Sequence, residues 1–123
     1  MPNWSVAFDD TFDTEWQTWP REAQDELLAR AKLLEELGPA LRRPHADTLK
    51  GSKFANMKEL RFDAASSKWR VAFAFDPERK AILLVGGSKS GMSQKKFYNS
   101  IIKAADDRFG RHLAELRKSK TKR

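Results

Sequence analysis

The chain has 123 residues, 40% of them hydrophobic and 33% charged, which is typical of a globular protein, so we expect a single domain over residues 1–123. It contains no cysteine, which excludes disulfide bonds, thiolate metal sites and cysteine nucleophiles. Neither a bilayer-spanning apolar run nor a signal-peptide pattern is present, so the expected location is the cytoplasm, with no membrane partner.

Charge is distributed unevenly along the chain, whose net charge is +7. Residues 1–36 hold nine acidic and three basic side chains, whereas the remainder holds eight acidic and 21 basic ones. This asymmetry favours a polyanionic partner for the C-terminal part. Five of the last seven residues, 117–123, are basic, and we expect this segment to form a disordered tail.

The N-terminal third predicts one strand and two helices. Residues 4–8 (WSVAF) fit a short strand at a sheet edge, and residues 9–19 carry aromatic side chains at helical spacing. A longer helix is predicted from Pro20 to about Leu37, where Gly38 ends it. Its apolar stripe and acidic first turns indicate a packing helix.

Residues 38–55 form a basic connection that either holds phosphates or is simply solvated. Its basic side chains are Arg42, Arg43, Lys50 and Lys53. His45 lies close to Asp47, but no further ligand stands at a suitable spacing, so no metal site is predicted here.

Residues 56–85 predict a three-stranded antiparallel meander, because apolar and polar residues alternate with a period of two. One face of the middle strand carries Trp69, Val71, Phe73 and Phe75. The opposite face carries Arg70, and in the preceding strand Glu59 and Arg61 share that orientation. The pattern therefore predicts a polar surface on the outer side of the sheet, where the chemistry is expected.

A glycine-rich loop and a long helix complete the chain. Residues 86–91 (GGSKSG) lack the residue order of a phosphate-binding P-loop, and the loop is expected to present Lys89 toward the polar face. Ser93 is suited to cap a helix that runs to about Leu116. Its predicted buried stripe comprises Tyr98, Ile102, Ala105, Phe109, Leu113 and Leu116, widened by Phe97 and Ile101.

Three segments carry a family resemblance when they are read in this order. LKGSKFANMKELRF (49–62), WRVAFAFDPERKAILLVGGSKSG (69–91) and KFYNSIIKAADDRFGRHLAEL (96–116) resemble the phage-derived, HigB-like branch of the RelE/ParE superfamily of toxins. The resemblance implies an α+β fold. A small antiparallel sheet, made of the N-terminal strand and the meander, would pack against two N-terminal helices and one C-terminal helix.

The resemblance also implies a function. Such toxins are ribosome-dependent mRNA endoribonucleases (mRNA interferases) of type II toxin–antitoxin systems, and a cognate helix-turn-helix antitoxin of the HigA type holds them inactive. Their cleavage is metal-independent, needs no cofactor and proceeds by attack of the ribose 2′-hydroxyl. Ribosome, mRNA and antitoxin are therefore the implied partners.

Five residues are candidates for catalysis on this resemblance. Arg70 corresponds to the family's strand arginine and would stabilise the transition state, with Arg61 sharing that work. Lys89 corresponds to the basic residue of the family's glycine loop and would protonate the leaving group or neutralise charge. Tyr98 would orient a base or anchor the helix. Glu59 departs from the family's basic pattern and serves either as general base or as a structural partner of Arg61.

Four further basic residues are candidates for RNA binding: Arg43, Lys50, Lys53 and Lys58. His45 and His112 do not fall on the predicted polar face. Two other functions remain open at this point. One is inhibition of DNA gyrase without nuclease activity, as in the ParE branch; the other is a catalytically inactive relative that binds antitoxin or RNA.

Overall fold

The computed structural model describes residues 4–121, which form a mixed sheet with helices on both faces. The elements in chain order are β1 (Ser5–Phe8), α1 (Asp10–Glu15), α2 (Arg21–Leu37), β2 (Ala46–Thr48), β3 (Lys58–Ala64), β4 (Ser67–Phe75), β5 (Lys80–Ser88) and α3 (Gln94–Thr121). Single 3₁₀ turns over residues 16–18 and 38–40 follow α1 and α2. No helix within the described residues is both long enough and apolar enough to cross a bilayer.

The sheet has the order β1-β5-β4-β3-β2, and the predicted α+β class with its antiparallel meander β3–β4–β5 is confirmed. Two details differ from the prediction. Strand β1 pairs in parallel with β5, because most of the chain lies between them and no tight turn imposes antiparallel pairing. Strand β2 lies within the predicted connection and pairs with β3; its three residues are too few to show a periodic pattern.

Both faces of the sheet are covered. Helices α1 and α2 pack on the face that carries Trp69, Val71 and Phe73, as the alternation predicts. The other face, expected to be open to solvent, is covered over much of its area by α3. The small side chains of Ala72 and Ala74 leave room there for the aromatic and aliphatic side chains of that helix.

Helix α3 begins where the sequence predicts, since the Oγ of Ser93 accepts a hydrogen bond from the Lys96 amide (3.2 Å). Its fully buried stripe comprises Phe97, Ile101, Ala105 and Phe109, and the predicted residues Tyr98, Ile102, Leu113 and Leu116 are only partly buried beside it. The helix continues to Thr121, so residues 117–121, expected to be disordered, are helical. Residues 122–123 of the expected tail lie outside the described residues.

The two glycines at the end of β5 differ in the space around them. A Cβ on Gly86 would lie 2.7 Å from Cγ2 of Val71 and 2.8 Å from the carbonyl oxygen of Arg70, whereas one on Gly87 would lie 3.8 Å from Phe97. We expect Gly86→Ala to lower the free energy of unfolding by roughly 1–3 kcal/mol through overpacking. Gly87→Ala is the matched control and should change it far less. Urea unfolding of both variants provides the measurement, and equal midpoints would contradict the packing described here.

Candidate active site

Five polar side chains meet where strands β3 and β4 pass beneath the first turns of α3. Glu59 and Arg61 point to the same side of β3, and Arg61 stands directly opposite Arg70 of β4 in the strand register. Tyr98 comes from the second turn of α3, and Lys89 follows the end of β5. The structure thus brings together all five of the predicted catalytic candidates, which we call the charged cluster.

Glu59 connects the charged cluster. Its Oε1 accepts a hydrogen bond from the Tyr98 hydroxyl (2.9 Å), and its Oε2 accepts one from Arg61 (2.7 Å). The Nε of Arg70 lies 4.0 Å from Oε1. Glu59 is only 5% exposed, so this carboxylate is shielded from water and paired with two guanidinium groups.

Arg70 is also buried, with 5% of its surface exposed. One terminal nitrogen donates to the carbonyl oxygen of Trp69 (2.8 Å), whereas the buried Nε has no hydrogen-bond acceptor among residues 4–121. Buried donors without an acceptor are rare in proteins, and within the described residues the Nε of Arg30 is another. Phosphate oxygens match the donor geometry of a guanidinium group.

Arg70 borders a groove of about 410 Å³, here called the edge groove. Its basic lining comprises Arg30, Arg43, His45, Arg61, Lys68 and Arg70. One carboxylate, Asp63, also lies on its rim and is 75% exposed. An anion in this groove would therefore face mostly positive charge.

Lys89 is held in place by its backbone, because its amide donates to the carbonyl oxygen of Lys68 (2.9 Å). Its Nζ lies 5.4 Å from the centre of the Tyr98 ring. Burial and the nearby positive charges of Arg70 and Arg61 lower the pKa of Lys89 below its usual value. This ammonium group therefore gives up its proton more readily than an ordinary lysine.

Tyr98 links the buried cluster to the surface. Burial and the hydrogen bond to Glu59 raise the pKa of Tyr98, so the phenol stays neutral and donates its proton to the carboxylate. The partly buried ring also lines a second groove of about 760 Å³ along α3. Tyr98 therefore contacts both Glu59 and a space that a ligand can enter.

The four predicted RNA-binding residues lie in different surroundings. Arg43 lines the edge groove while pairing with Asp47 (2.8 Å), and Lys50 lines the groove along α3. Lys53 lies over the Phe54 ring, and Nζ of Lys58 approaches a main-chain carbonyl oxygen at 3.5 Å. Arg43 and Lys50 are thus the two that border grooves next to the charged cluster.

Two expectations about this region were wrong. Glu59 and Arg70 are buried, not exposed, because the first turns of α3 lie over them. His45 was placed away from the polar face, yet it lines the edge groove, since β2 pairs with β3 and the His45 carbonyl accepts from the Arg61 amide (2.8 Å).

Lys68 also lines the edge groove but was not among the candidates, although the alternation of residues in β4 places it on the same face as Arg70. The other histidine, His112, pairs with Asp76 (2.8 Å) near the C-terminal half of α3. Within residues 4–121, no group of three histidines or carboxylates is arranged to hold a metal ion.

Comparison with known proteins identifies the family. Residues 14–110 match the family described as phage derived protein Gp49-like. The chain is 46% identical over 104 residues to the toxin HigB2 of Mycobacterium tuberculosis, covering 84% of this chain and 51% of HigB2. It is also 46% identical over 94 residues to the toxin HigB3 of the same organism, covering 76% of this chain and 80% of HigB3.

The fold is similar to that of a solved structure. A free-state double mutant of the E. coli toxin RelE superposes with a TM-score of 0.59 at 16% identity, covering 84% of this chain and 97% of that one. At this identity the likeness concerns the fold alone. Because the family match spans most of the chain and the identity to HigB3 extends over four-fifths of that protein, this chain belongs to the Gp49-like family of HigB-type toxins with a RelE-like fold.

Proposed function

We propose that this chain is the toxin of a toxin–antitoxin system and acts as a ribosome-dependent, metal-independent mRNA endoribonuclease. The observation that carries this proposal is the charged cluster, in which two arginines that face each other across the sheet, Arg61 and Arg70, border a basic groove. The inhibiting partner proposed for it is a helix-turn-helix antitoxin of the HigA type, encoded beside it. The mRNA in the ribosome is its proposed substrate.

The reaction forms a bond between the ribose O2′ and phosphorus and breaks the bond between phosphorus and the next O5′. Its products are a 2′,3′-cyclic phosphate and a 5′-hydroxyl end. The site must accept the proton of the 2′-hydroxyl, stabilise the charge of the phosphorane and protonate the departing O5′.

Arg70 and Arg61 are the proposed ligands of the scissile phosphate. Arg61 stands opposite Arg70 in the sheet, and both border the edge groove. Their positive charges are fixed by the strands and by Glu59 before substrate arrives. Preorganised donors in a site with little water stabilise developing negative charge strongly, which makes this the largest contribution.

Tyr98 and Glu59 form the proposed path for the 2′-hydroxyl proton. Glu59 lines neither the edge groove nor the groove along α3, but Tyr98 contacts it and lines the second of these. The phenol oxygen accepts the 2′-proton while its own proton passes along the 2.9 Å hydrogen bond to Oε1 of Glu59. The carboxylate is thus the final proton acceptor, and Tyr98 relays the proton.

Lys89 is the proposed general acid for the leaving O5′, because its lowered pKa favours proton donation. A substrate with sulfur in place of the bridging O5′ has a leaving group that needs no proton. We therefore expect Lys89→Ala to cleave the ordinary RNA about 10²–10⁴-fold more slowly than the wild type does. The same variant should cleave the sulfur-containing RNA at nearly the wild-type rate.

His45→Gln is the matched control for this experiment, because His45 lines the edge groove and histidine is also a common general acid. Any slowing of His45→Gln should be equal on the two substrates, so that sulfur does not rescue this variant. Sulfur rescue of His45→Gln instead of Lys89→Ala would transfer the role of general acid to the histidine.

Primer extension on cellular mRNA after brief induction tests the function as a whole. The proposal requires growth arrest together with cuts inside translated codons, and both should be absent for Arg70→Ala. Growth arrest with intact mRNA and damaged DNA would instead indicate gyrase inhibition. No arrest would indicate a protein that only binds its partners.

A further inference from the structure

Two spaces adjoin the charged cluster, one beside Tyr98 and the other beside Lys89. The α3 groove is lined by Lys50, Lys95, Tyr98, Asn99, Ile102 and Lys103, and has a volume of about 760 Å³. The turn pocket, about 600 Å³, lies beside the β3–β4 turn and is lined by Asp63, Ala64, Ser67, Lys68, Lys89 and Ser90. Each space is thus bordered by one of the two residues proposed to move protons, Tyr98 or Lys89.

The α3 groove is suited to the phosphates of a single strand. Lys50, Lys95 and Lys103 line it, and within the described residues no carboxylate does. The loop that carries Lys50 is fastened to α3, because Asp106 accepts hydrogen bonds from the Ser52 hydroxyl and the Lys53 amide. The loop with Lys50 and the helix with Lys95 and Lys103 are therefore held together before any ligand arrives.

Gly51 allows the loop that carries Lys50 to lie close to α3. Its φ of +100° is one that other residues rarely adopt, and a Cβ there would lie 3.2 Å from Cδ1 of Ile102. The apolar parts of Ile102 and Tyr98 offer a surface for bases between the phosphate contacts.

The turn pocket has a different character. It mixes hydroxyl and ammonium donors with carboxylate acceptors and methyl groups, so it matches the edge of one base better than a row of phosphates. The Ser67 and Ser90 hydroxyls lie 2.6 Å apart. The turn itself is held against α2, since the Ala65 amide donates to the carboxylate of Glu22.

We infer from these two spaces the direction in which RNA crosses the protein, an inference that rests on the proposed function. The attacking 2′-hydroxyl belongs to the nucleotide on the 5′ side of the cut and must reach Tyr98. The departing O5′ belongs to the nucleotide on the 3′ side and must reach Lys89. The 5′ part of the strand therefore lies along the α3 groove, and the first base after the cut enters the turn pocket.

Binding of two short RNA series to the purified protein tests this direction. One series ends in a 3′-phosphate and is lengthened at its 5′ end; the other begins with a 5′-phosphate and is lengthened at its 3′ end. The terminal phosphate of each occupies the arginines, so added nucleotides report on one side only. The change tested is the double substitution Lys95→Ala/Lys103→Ala, and Lys32→Ala on α2 is the control.

The double substitution should remove most of the affinity gained by lengthening the first series and leave the second series unchanged. The slope of log affinity against log salt concentration should become shallower for the first series by roughly 0.7 per lysine. Ser67→Ala should weaken only the second series.

The inferred direction would be overturned if the double substitution lowered the affinity of both series equally or of neither. It would also be overturned if a wild-type protein that cleaves mRNA bound neither series. Cleavage is not part of this readout. One-sided binding by a protein that leaves mRNA intact would therefore support the direction and overturn only the nuclease proposal.

Discussion

Arg70→Ala is expected to lower the rate constant of RNA cleavage by about 10²–10³-fold, the usual effect of removing one preorganised donor from a site that stabilises developing charge. The guanidinium group is buried, its Nε lacks an acceptor within residues 4–121, and it borders the edge groove. We expect neither neighbour to replace it, because Arg61 is already bonded to Glu59 (2.7 Å) and Lys89 provides a single ammonium group. Single-turnover cleavage of ribosome-bound mRNA by the purified protein provides the measurement.

A change in folding must be separated from this change in chemistry, because Arg70→Ala leaves Glu59 with one fewer cation. Arg108→Ala is the matched control. Arg108 is also largely buried and donates to both carboxylate oxygens of Glu15 (2.8 and 2.9 Å) and to the Leu84 carbonyl (2.8 Å). Its loss should lower stability without changing the cleavage rate of the folded fraction. An unchanged rate in Arg70→Ala would remove Arg70 from the mechanism.

Tyr98→Phe and Glu59→Gln are each expected to reduce the rate constant by about 10²–10⁴-fold, the usual range for general acid–base catalysis. Both substitutions interrupt the same proton path, the hydrogen bond from Tyr98 to Oε1 of Glu59. The double variant should therefore be no slower than the slower single variant. Such strong non-additivity is characteristic of residues that act as one unit.

The competing explanation makes Glu59 only a support for Arg61, to which it is bonded at 2.7 Å. In that case Tyr98→Phe would leave the rate nearly unchanged, and the effects of the two substitutions would add. Urea unfolding of each variant gives the folded fraction, so that rates refer to folded protein only.

The sequence was sufficient to predict which residues share a face of the sheet. A period of two in β3 and β4 placed Glu59, Arg61 and Arg70 together, and the turn between these strands fixed their register. The cap at Ser93 then set the start of α3, which brings Tyr98 over Glu59. Local pattern therefore predicted that Glu59, Arg61 and Arg70 lie together, whereas Tyr98 was a candidate only through the family resemblance.

The sequence was not sufficient to predict how deeply these residues are buried. Alternation shows which face a side chain points to, but not whether a helix from elsewhere in the chain covers that face. Ala72 and Ala74 are compatible with an exposed strand and equally with close contact to α3.

The edge groove could not be predicted from the sequence for a related reason. It depends on β2, a three-residue strand that is recognisable only by its pairing with β3. Without that pairing, His45 and Arg43 belong to an unstructured connection and cannot be assigned to any side of the sheet.

The most direct test of the account is the position of the scissile phosphate in a complex of the protein with RNA. The RNA carries a 2′-O-methyl group at the cleavage position, so it cannot be cut. The account requires phosphate oxygens within hydrogen-bond distance of both Arg61 and Arg70, with the Tyr98 hydroxyl beside the methylated O2′ and Lys89 beside O5′. A phosphate bound elsewhere on the protein, with these two arginines still directed only at Glu59, would contradict it.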